Sequence, residues 1–223
     1  MIRSRKLPEF PLPPEIADLR LDPDAPLVVV DVDEVLAMFM RGFERFLGGH
    51  GLEMRIQKFA LFQNIYRPGE LEHLDVAAGR ELFEAFFEAD VEDIDPAPGA
   101  REALDALAAH ASIVILTNAP QQSRVPRARW LVKNGFDYPF IINAGPKGPA
   151  VAALAAKTHG RAAFIDDLLP NLDSVAACAP AVARFQMVAD HRLRPLAPCA
   201  PDRHPRYDEW SELGPAIAAS LGI

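Results

Sequence analysis

The chain has 223 residues, half of them hydrophobic and 24% charged, so it can bury a real core as one domain, or as one domain with a modest insertion, and is not a long disordered polymer. Its formal net charge of -8 argues against a nucleic-acid polymer or an anionic membrane as the main partner; a small anionic substrate stays open, because a metal ion and one or two cationic side chains reverse the field locally. The two cysteines, Cys178 and Cys199, match no zinc-ligand spacing and are too few for a disulfide framework, which points to a reduced, cytoplasmic setting.

Residues 1–25 are rich in proline and polar side chains and are expected to form an arm laid over the surface. Arg3, Arg5 and Lys6 are followed by Pro8, Pro11, Pro13 and Pro14 instead of an apolar run, so neither a signal peptide nor a transmembrane helix is expected. The first strong element is 27–32 (LVVVDV), apolar on both faces as a central parallel strand must be. A helix is predicted over 100–109, a buried strand over 112–116 (SIVIL), and a helix from near Ser123 to just before Gly135, with Pro126 in its first turn. Strands at 140–143, 162–165 and 181–188 then alternate with helices at 149–157 and 171–178. That alternation predicts an α/β, Rossmann-like parallel sheet with helices on both faces, its strand ends gathered along one edge where such sheets bind ligands.

Residues 37–97 break the rhythm. Nothing there reads as a strand, and 38–47 and 80–89 (RELFEAFFEA) have helical spacing. The expectation is an α/β core at 1–36 and 98–223 with a helical cap inserted at 37–97, hanging over the strand ends as a lid.

Asp31 and Asp33 close the first strand (DVDEV). An ionised aspartate is a competent nucleophile toward phosphorus once a divalent cation neutralises the phosphoryl oxygens, and a second carboxyl nearby can protonate the leaving oxygen and later deprotonate water. Thr117 and Asn118 end the second strand, where a hydroxyl and free backbone N–H groups suit a phosphate oxygen. Lys147 stands in a Gly-Pro-Lys-Gly-Pro loop before a helix, positioned to aim an ammonium at the same place. Asp166 and Asp167 directly follow a buried strand (FIDD), a costly placement unless they meet a cation, and hard oxygen ligands there select Mg²⁺. Each signal alone is commonly a turn, a helix cap or a surface residue; all of them at one sheet edge make a site.

Other residues are set aside. The six histidines are scattered, Trp130 and the phenylalanines of 80–89 read as core, and Arg124, Arg127 and Arg129 read as a solvated basic face. Phe39, Arg41 and Arg45 follow the nucleophile into the insertion, and Phe39 and Arg41 are the best candidates there for touching substrate.

The segments DVDEV, LTN, the Lys147 loop and FIDD together resemble the four motifs of the haloacid-dehalogenase-like hydrolases, over a core from about 27 to 188. By that resemblance Asp31 is the nucleophile, Asp33 the general acid/base, Thr117 and Lys147 the phosphoryl ligands. Mg²⁺ would be held by Asp31, the Asp33 backbone carbonyl and Asp167, with Asp166 assisting. An acid at 33 favours the phosphatase or phosphomutase branches over the dehalogenases. The segment DVDEVLAMF is similar to the first motif of 5'(3')-deoxyribonucleotidases, which carry an aromatic residue where Phe39 stands, but it departs at Glu34, where glycine is usual. Receiver domains have similar groups in a different chain order, the acid pair first. The expectation is a Mg²⁺-dependent phosphomonoester hydrolase for a small phosphorylated metabolite, a nucleotide included; the alternatives are a phosphotransferase or mutase, or a non-catalytic binding protein on the same fold.

Overall fold

A computed structural model describes residues 11–89 and 91–223. The first ten residues of the expected arm lie outside the described residues. In chain order the elements are α1 (Glu15–Asp18), β1 (Leu27–Val30), α2 (Phe39–Gly49), β2 (Glu53–Met54), β3 (Ile65–Tyr66), α3 (Val76–Ala89), α4 (Ala100–Ala108) and β4 (Ser112–Thr117). There follow α5 (Arg124–Lys133), β5 (Phe140–Ile142), α6 (Gly148–Ala155), β6 (Ala162–Asp166), α7 (Leu169–Cys178), β7 (Ala183–Gln186) and α8 (Trp210–Leu221).

Five strands form one parallel sheet in the order β5-β4-β1-β6-β7. The chain winds outward from β1 through β4 to β5, then returns to build β6 and β7 on the other side. The reversal leaves a crevice beyond the C-terminal ends of β1, β4 and β6, which is where open α/β sheets place their ligands.

Alternate side chains of a strand face opposite ways, so a sheet centred on LVVV needs cover on both sides. Val28 and Val30 pack into a core with residues of α4, α5 and α8, whereas Leu27 and Val29 pack with residues of α1, α6 and α7. All four are fully buried, each stabilising the fold by roughly 1.5–3 kcal/mol relative to exposure. Pro126, Pro149 and Pro170 stand in the first turns of their helices, where an imino nitrogen removes no intrahelical hydrogen bond.

Between β1 and α4 none of the described residues joins this sheet. The chain leaves and returns side by side: Met38 N donates to Asp95 O (2.9 Å) and Ala97 N to Leu36 O (2.7 Å). The segment between holds α2 and α3, whose Phe39, Phe43, Phe83, Phe86 and Phe87 form a cluster of ring contacts with centroids 4.8–6.4 Å apart. It also holds β2 and β3, an antiparallel pair (Glu53↔Tyr66, Met54↔Ile65), which corrects the expectation that nothing there is a strand. Two residues per strand are too few to show any period in the sequence.

The helix α8 lies in a stretch for which the sequence suggests no element, since Pro215 inside it obscures the pattern. Its Trp210 indole donates to Val35 O at 3.0 Å, tying the chain's last helix to the turn after β1. Among the described residues no helix is long and apolar enough to cross a membrane.

Candidate active site

The site begins where β1 stops. Asp31 N still donates to Ile165 O of β6 at 3.0 Å, and then the amides of Val35, Leu36 and Ala37 all turn onto Val32 O. Glu34 takes the left-handed conformation, φ 58°, that glycine adopts freely. That explains why glycine suits the position, and also what the glutamate adds. Buried beside the turn, its Oε1 accepts from Met40 N at 2.8 Å in the first turn of α2, and its Oε2 from Asp190 N at 2.9 Å. The two bonds offset a backbone strain of about 1 kcal/mol. Burial raises the Glu34 carboxyl to about 7, against the pull of those two amides.

Lys147 is the hub. Its ammonium, 1% exposed, lies 2.6 Å from Asp31 Oδ1 and 2.7 Å from Asp166 Oδ2. The loop that carries it is fastened at both ends. Asn143 Nδ2 donates to Asn118 Oδ1 (2.9 Å) and to Gly145 O (3.0 Å), and Asn118 Nδ2 donates to the same carbonyl (3.0 Å). On the other side Gly148 packs so tightly on α7 that an added Cβ would fall 2.3 Å from Ser174 O. Burial alone would lower the Lys147 pKa, but Asp166 and Asp31 overcome it and push the group up, so it stays a cation.

Asp166 is fully buried, and its oxygens are taken by Lys147, by Leu168 N (2.8 Å) and by Asn171 Nδ2 (3.0 Å). It holds the lysine and the turn into α7. Asp167, one residue on, lines the cavity with Asp31, Asp33, Thr117, Asn118 and Lys147. Thr117 is almost wholly buried at the end of β4; Asn118 lines the cavity too, with its amide committed to the lysine loop.

One carboxylate oxygen from each of Asp31, Asp166 and Asp167 lies within 4.8 Å of the others. These residues fit a hard divalent cation. Three buried carboxylates lie together beside a single ammonium, that of Lys147, which contacts Asp31 and Asp166, so negative charge is in excess there. Burial, more than the neighbouring Asp166, raises Asp31 to about 7, and burial followed by the charges of Asp166 and Asp31 pushes Asp167 well above the carboxylate range. The ion-free site therefore takes up protons as pH falls through 7. Divalent-cation affinity is expected to rise about tenfold per pH unit up to pH 7 as the Asp31 proton is displaced. Titration calorimetry in buffers of different ionisation enthalpy checks this; an affinity flat between pH 5.5 and 7 would contradict it. Asp31 likewise destabilises the ion-free fold as pH rises through 7, because the unfolded chain has already lost that proton.

Asp33 stands apart from that cluster. Its Oδ1 accepts from Arg127 Nη2 at 2.6 Å. Arg127 is fully buried, its guanidinium carbon 5.0 Å from the Phe87 ring and 5.7 Å from Trp130, and among the described residues its Nε and Nη1 have no hydrogen-bond partner. This corrects the placing of Arg127 on a solvated face; Arg124 and Arg129 do lie outward. The sequence signal was Pro126 and Trp130 nearby, which fix the helix phase so that 127 and 130 share one side. Arg127→Met is expected to lower kcat by about 10- to 100-fold through loss of the Asp33 anchor. A variant with normal kcat would show that Asp33 needs no such anchor.

Of the residues suggested in the insertion, Phe39 lines the cavity, its ring near-parallel to that of Phe87. Arg41 does not: it reaches His191 Nδ1 (3.1 Å) and Asp190 (3.6 Å) beside a separate surface hollow. Arg45 pairs with Asp95 at the surface. Glu34, Asn143 and Arg127 are the site's unanticipated members.

No protein-family model and no curated protein matches the chain. Solved structures do. It is similar to a haloacid dehalogenase-like family hydrolase from Xanthomonas campestris (17% identity, 90% of this chain and 98% of that one, TM-score 0.53). It is similar also to CbbY from Rhodobacter sphaeroides in complex with phosphate (17%, 89% and 100%, 0.54), and to a phosphoglycolate phosphatase, so predicted, from Haemophilus somnus (14%, 84% and 95%, 0.57). The fold is that of the haloacid-dehalogenase-like hydrolases.

Proposed function

We propose that the protein is a Mg²⁺-dependent phosphomonoester hydrolase acting through an aspartyl-phosphate at Asp31. The observation that carries this is the single buried ammonium of Lys147 set between Asp31 and Asp166, with Asp167 completing the carboxylate group at the crevice where β1, β4 and β6 end. The fold shared with hydrolases of this kind supports it.

Asp31 and Asp167, with the Asp33 main-chain carbonyl and with Asp166 behind them, would hold the ion; when bound it neutralises phosphoryl oxygens facing the carboxylates. Asp31 Oδ1 is turned into Lys147, which leaves Oδ2 to attack phosphorus. The P–O ester bond breaks as Asp33 gives its proton to the departing oxygen. Asp33, now a carboxylate, takes a proton from water as that water attacks the acyl phosphate, and phosphate departs with Asp31 restored. Thr117 and Lys147 hold the phosphoryl oxygens in place, so positioning and charge supply most of the rate. Residues 37–97 act as the cap, closing Phe39 and Phe83 over the crevice to exclude water during transfer. A cytoplasmic setting belongs to the same reading and accords with Cys178 and Cys199 being free and exposed.

The test is a panel of phosphate esters with Mg²⁺, followed by acid quenching and borohydride reduction, which converts a phosphorylated aspartate to homoserine. Homoserine at position 31, with free phosphate in solution, is the expected result. Phosphate recovered on an added alcohol instead of in water would turn the reading toward a phosphotransferase, and label at any other residue would end it.

A further inference from the structure

The cavity in front of Asp31 measures about 250 Å³. Its inner end carries the acids, Thr117, Asn118 and Lys147. Residues of other elements complete the lining: Phe39, Met40, Phe59, Leu61, Phe83 and Leu193, contributed by α2, α3, the connection between β2 and β3, and the loop after β7. None of those six side chains offers a hydrogen-bond donor, and none carries a charge.

Charge points the same way. Among the described residues lining the cavity, Lys147 is the one cation, against Asp31, Asp33, Glu34 and Asp167. Its ammonium is already shared between Asp31 and Asp166. The nearby arginines are engaged elsewhere: Arg127 behind Asp33, Arg41 with Asp190, Arg192 with Asp190 and Glu44. A bound divalent ion offsets the inner acids and the phosphoryl group. Among the described lining residues no further cation remains for a second anion on the leaving group, and the amides of Asn118 and Asn171 are committed to Gly145 O and Asp166, away from the hydroxyls of an alcohol or the hydrogen-bonding edge of a base. A buried polar group without a partner weakens binding by roughly ten- to a hundredfold.

Resting on the hydrolase reading above, we infer that the site selects phosphate monoesters of compact, uncharged, apolar alcohols, such as arylmethanols, over carboxylated, polyhydroxylated or nucleoside alcohols. The phosphoryl end is read by the acids, hydroxyl and ammonium; the alcohol is read by an aromatic and aliphatic lining that rewards only apolar area.

Benzyl phosphate, 2-phosphoglycolate, glucose 6-phosphate and thymidine 5'-monophosphate are all esters of primary alcohols, so comparing kcat/KM among them with Mg²⁺ isolates recognition from leaving-group reactivity. Benzyl phosphate is expected to lead each of the others by at least about tenfold. In Leu61→Lys, the 2-phosphoglycolate to benzyl phosphate ratio is expected to rise by at least about tenfold. Equal or faster turnover of any polar ester by the native chain overturns the inference while leaving the hydrolase reading intact. Should no ester be turned over, the hydrolase reading falls, and binding decides this one separately. Benzylphosphonate is expected to bind Asp31→Asn with Mg²⁺ at least about tenfold more tightly than phosphonoacetate, by calorimetry, and equal affinities overturn it.

Discussion

Replacing Asp31 by asparagine is expected to reduce phosphate release by about 10⁴-fold or more and to remove the borohydride-trapped aspartate altogether, because the amide oxygen is too weak a nucleophile to form an acyl phosphate. Asp33→Asn is expected to behave differently. With an ester whose leaving group needs no proton, such as 4-nitrophenyl phosphate, the first step proceeds and the second loses its base, so the trapped phosphoaspartate accumulates while turnover drops by about 10²- to 10⁴-fold. The geometry motivates the split: Asp31 sits against Lys147, whereas Asp33 is held by Arg127 outside the carboxylate cluster. Rapid-quench measurement of the phosphoenzyme separates the two. Phosphoenzyme in Asp31→Asn, or none in Asp33→Asn, would remove the two-step mechanism.

The second large effect is on stability. In Lys147→Met the carboxylates of Asp31, Asp166 and Asp167 remain within one buried space with no compensating cation. Breaking a buried ion pair by removing one partner destabilises by about 3–5 kcal/mol, which for a chain of this length lowers the melting temperature by roughly 6–20 °C. The sign with pH is definite. Acids whose folded pKa is raised above the unfolded value stabilise the fold while protonated, so the deficit is smallest near pH 5 and grows as pH rises through 7. Millimolar Mg²⁺ is expected to recover part of it at pH 8 and little at pH 5. Thermal melts at both pH values, with and without the ion, check this. An unaltered melt at pH 8 would mean that Lys147 is not balancing these charges.

The five-stranded core was legible because its signals are strong and local. LVVVDV, SIVIL and AAFI are buried on both faces, and both-sided burial leaves no polar alternation to misread. The convergence of Asp31, Asp33, Thr117, Lys147 and Asp167 around one cavity follows from strand order: parallel strands with right-handed crossovers put their C-terminal ends on one edge, whatever lies between. What the residues did not disclose depends on long-range partners. Arg127 looks like one of three arginines on a helix, and only the packing of Phe87 and Trp130 over it shows that it points inward. Glu34 looks like a departure from glycine, because its partners are an amide six residues on and another at Asp190. β2 and β3 are held by pairing with each other, and a pair of two-residue strands has no pattern of its own.

The adjoining exit and return of the chain at 36–38 and 95–97 has a further consequence. The fifty-odd residues between them form a loop whose two ends are already clasped by main-chain bonds, and the entropy of closing such a loop grows only with the logarithm of its length. Lengthening or trimming the segment therefore burdens the sheet by a few tenths of a kilocalorie per mole, whereas changes at Phe39, Met40, Phe59, Leu61 or Phe83 within it alter the lining of the cavity in front of Asp31. On the proposed hydrolase reading, selectivity can drift there while the phosphorus chemistry beneath stays as it is.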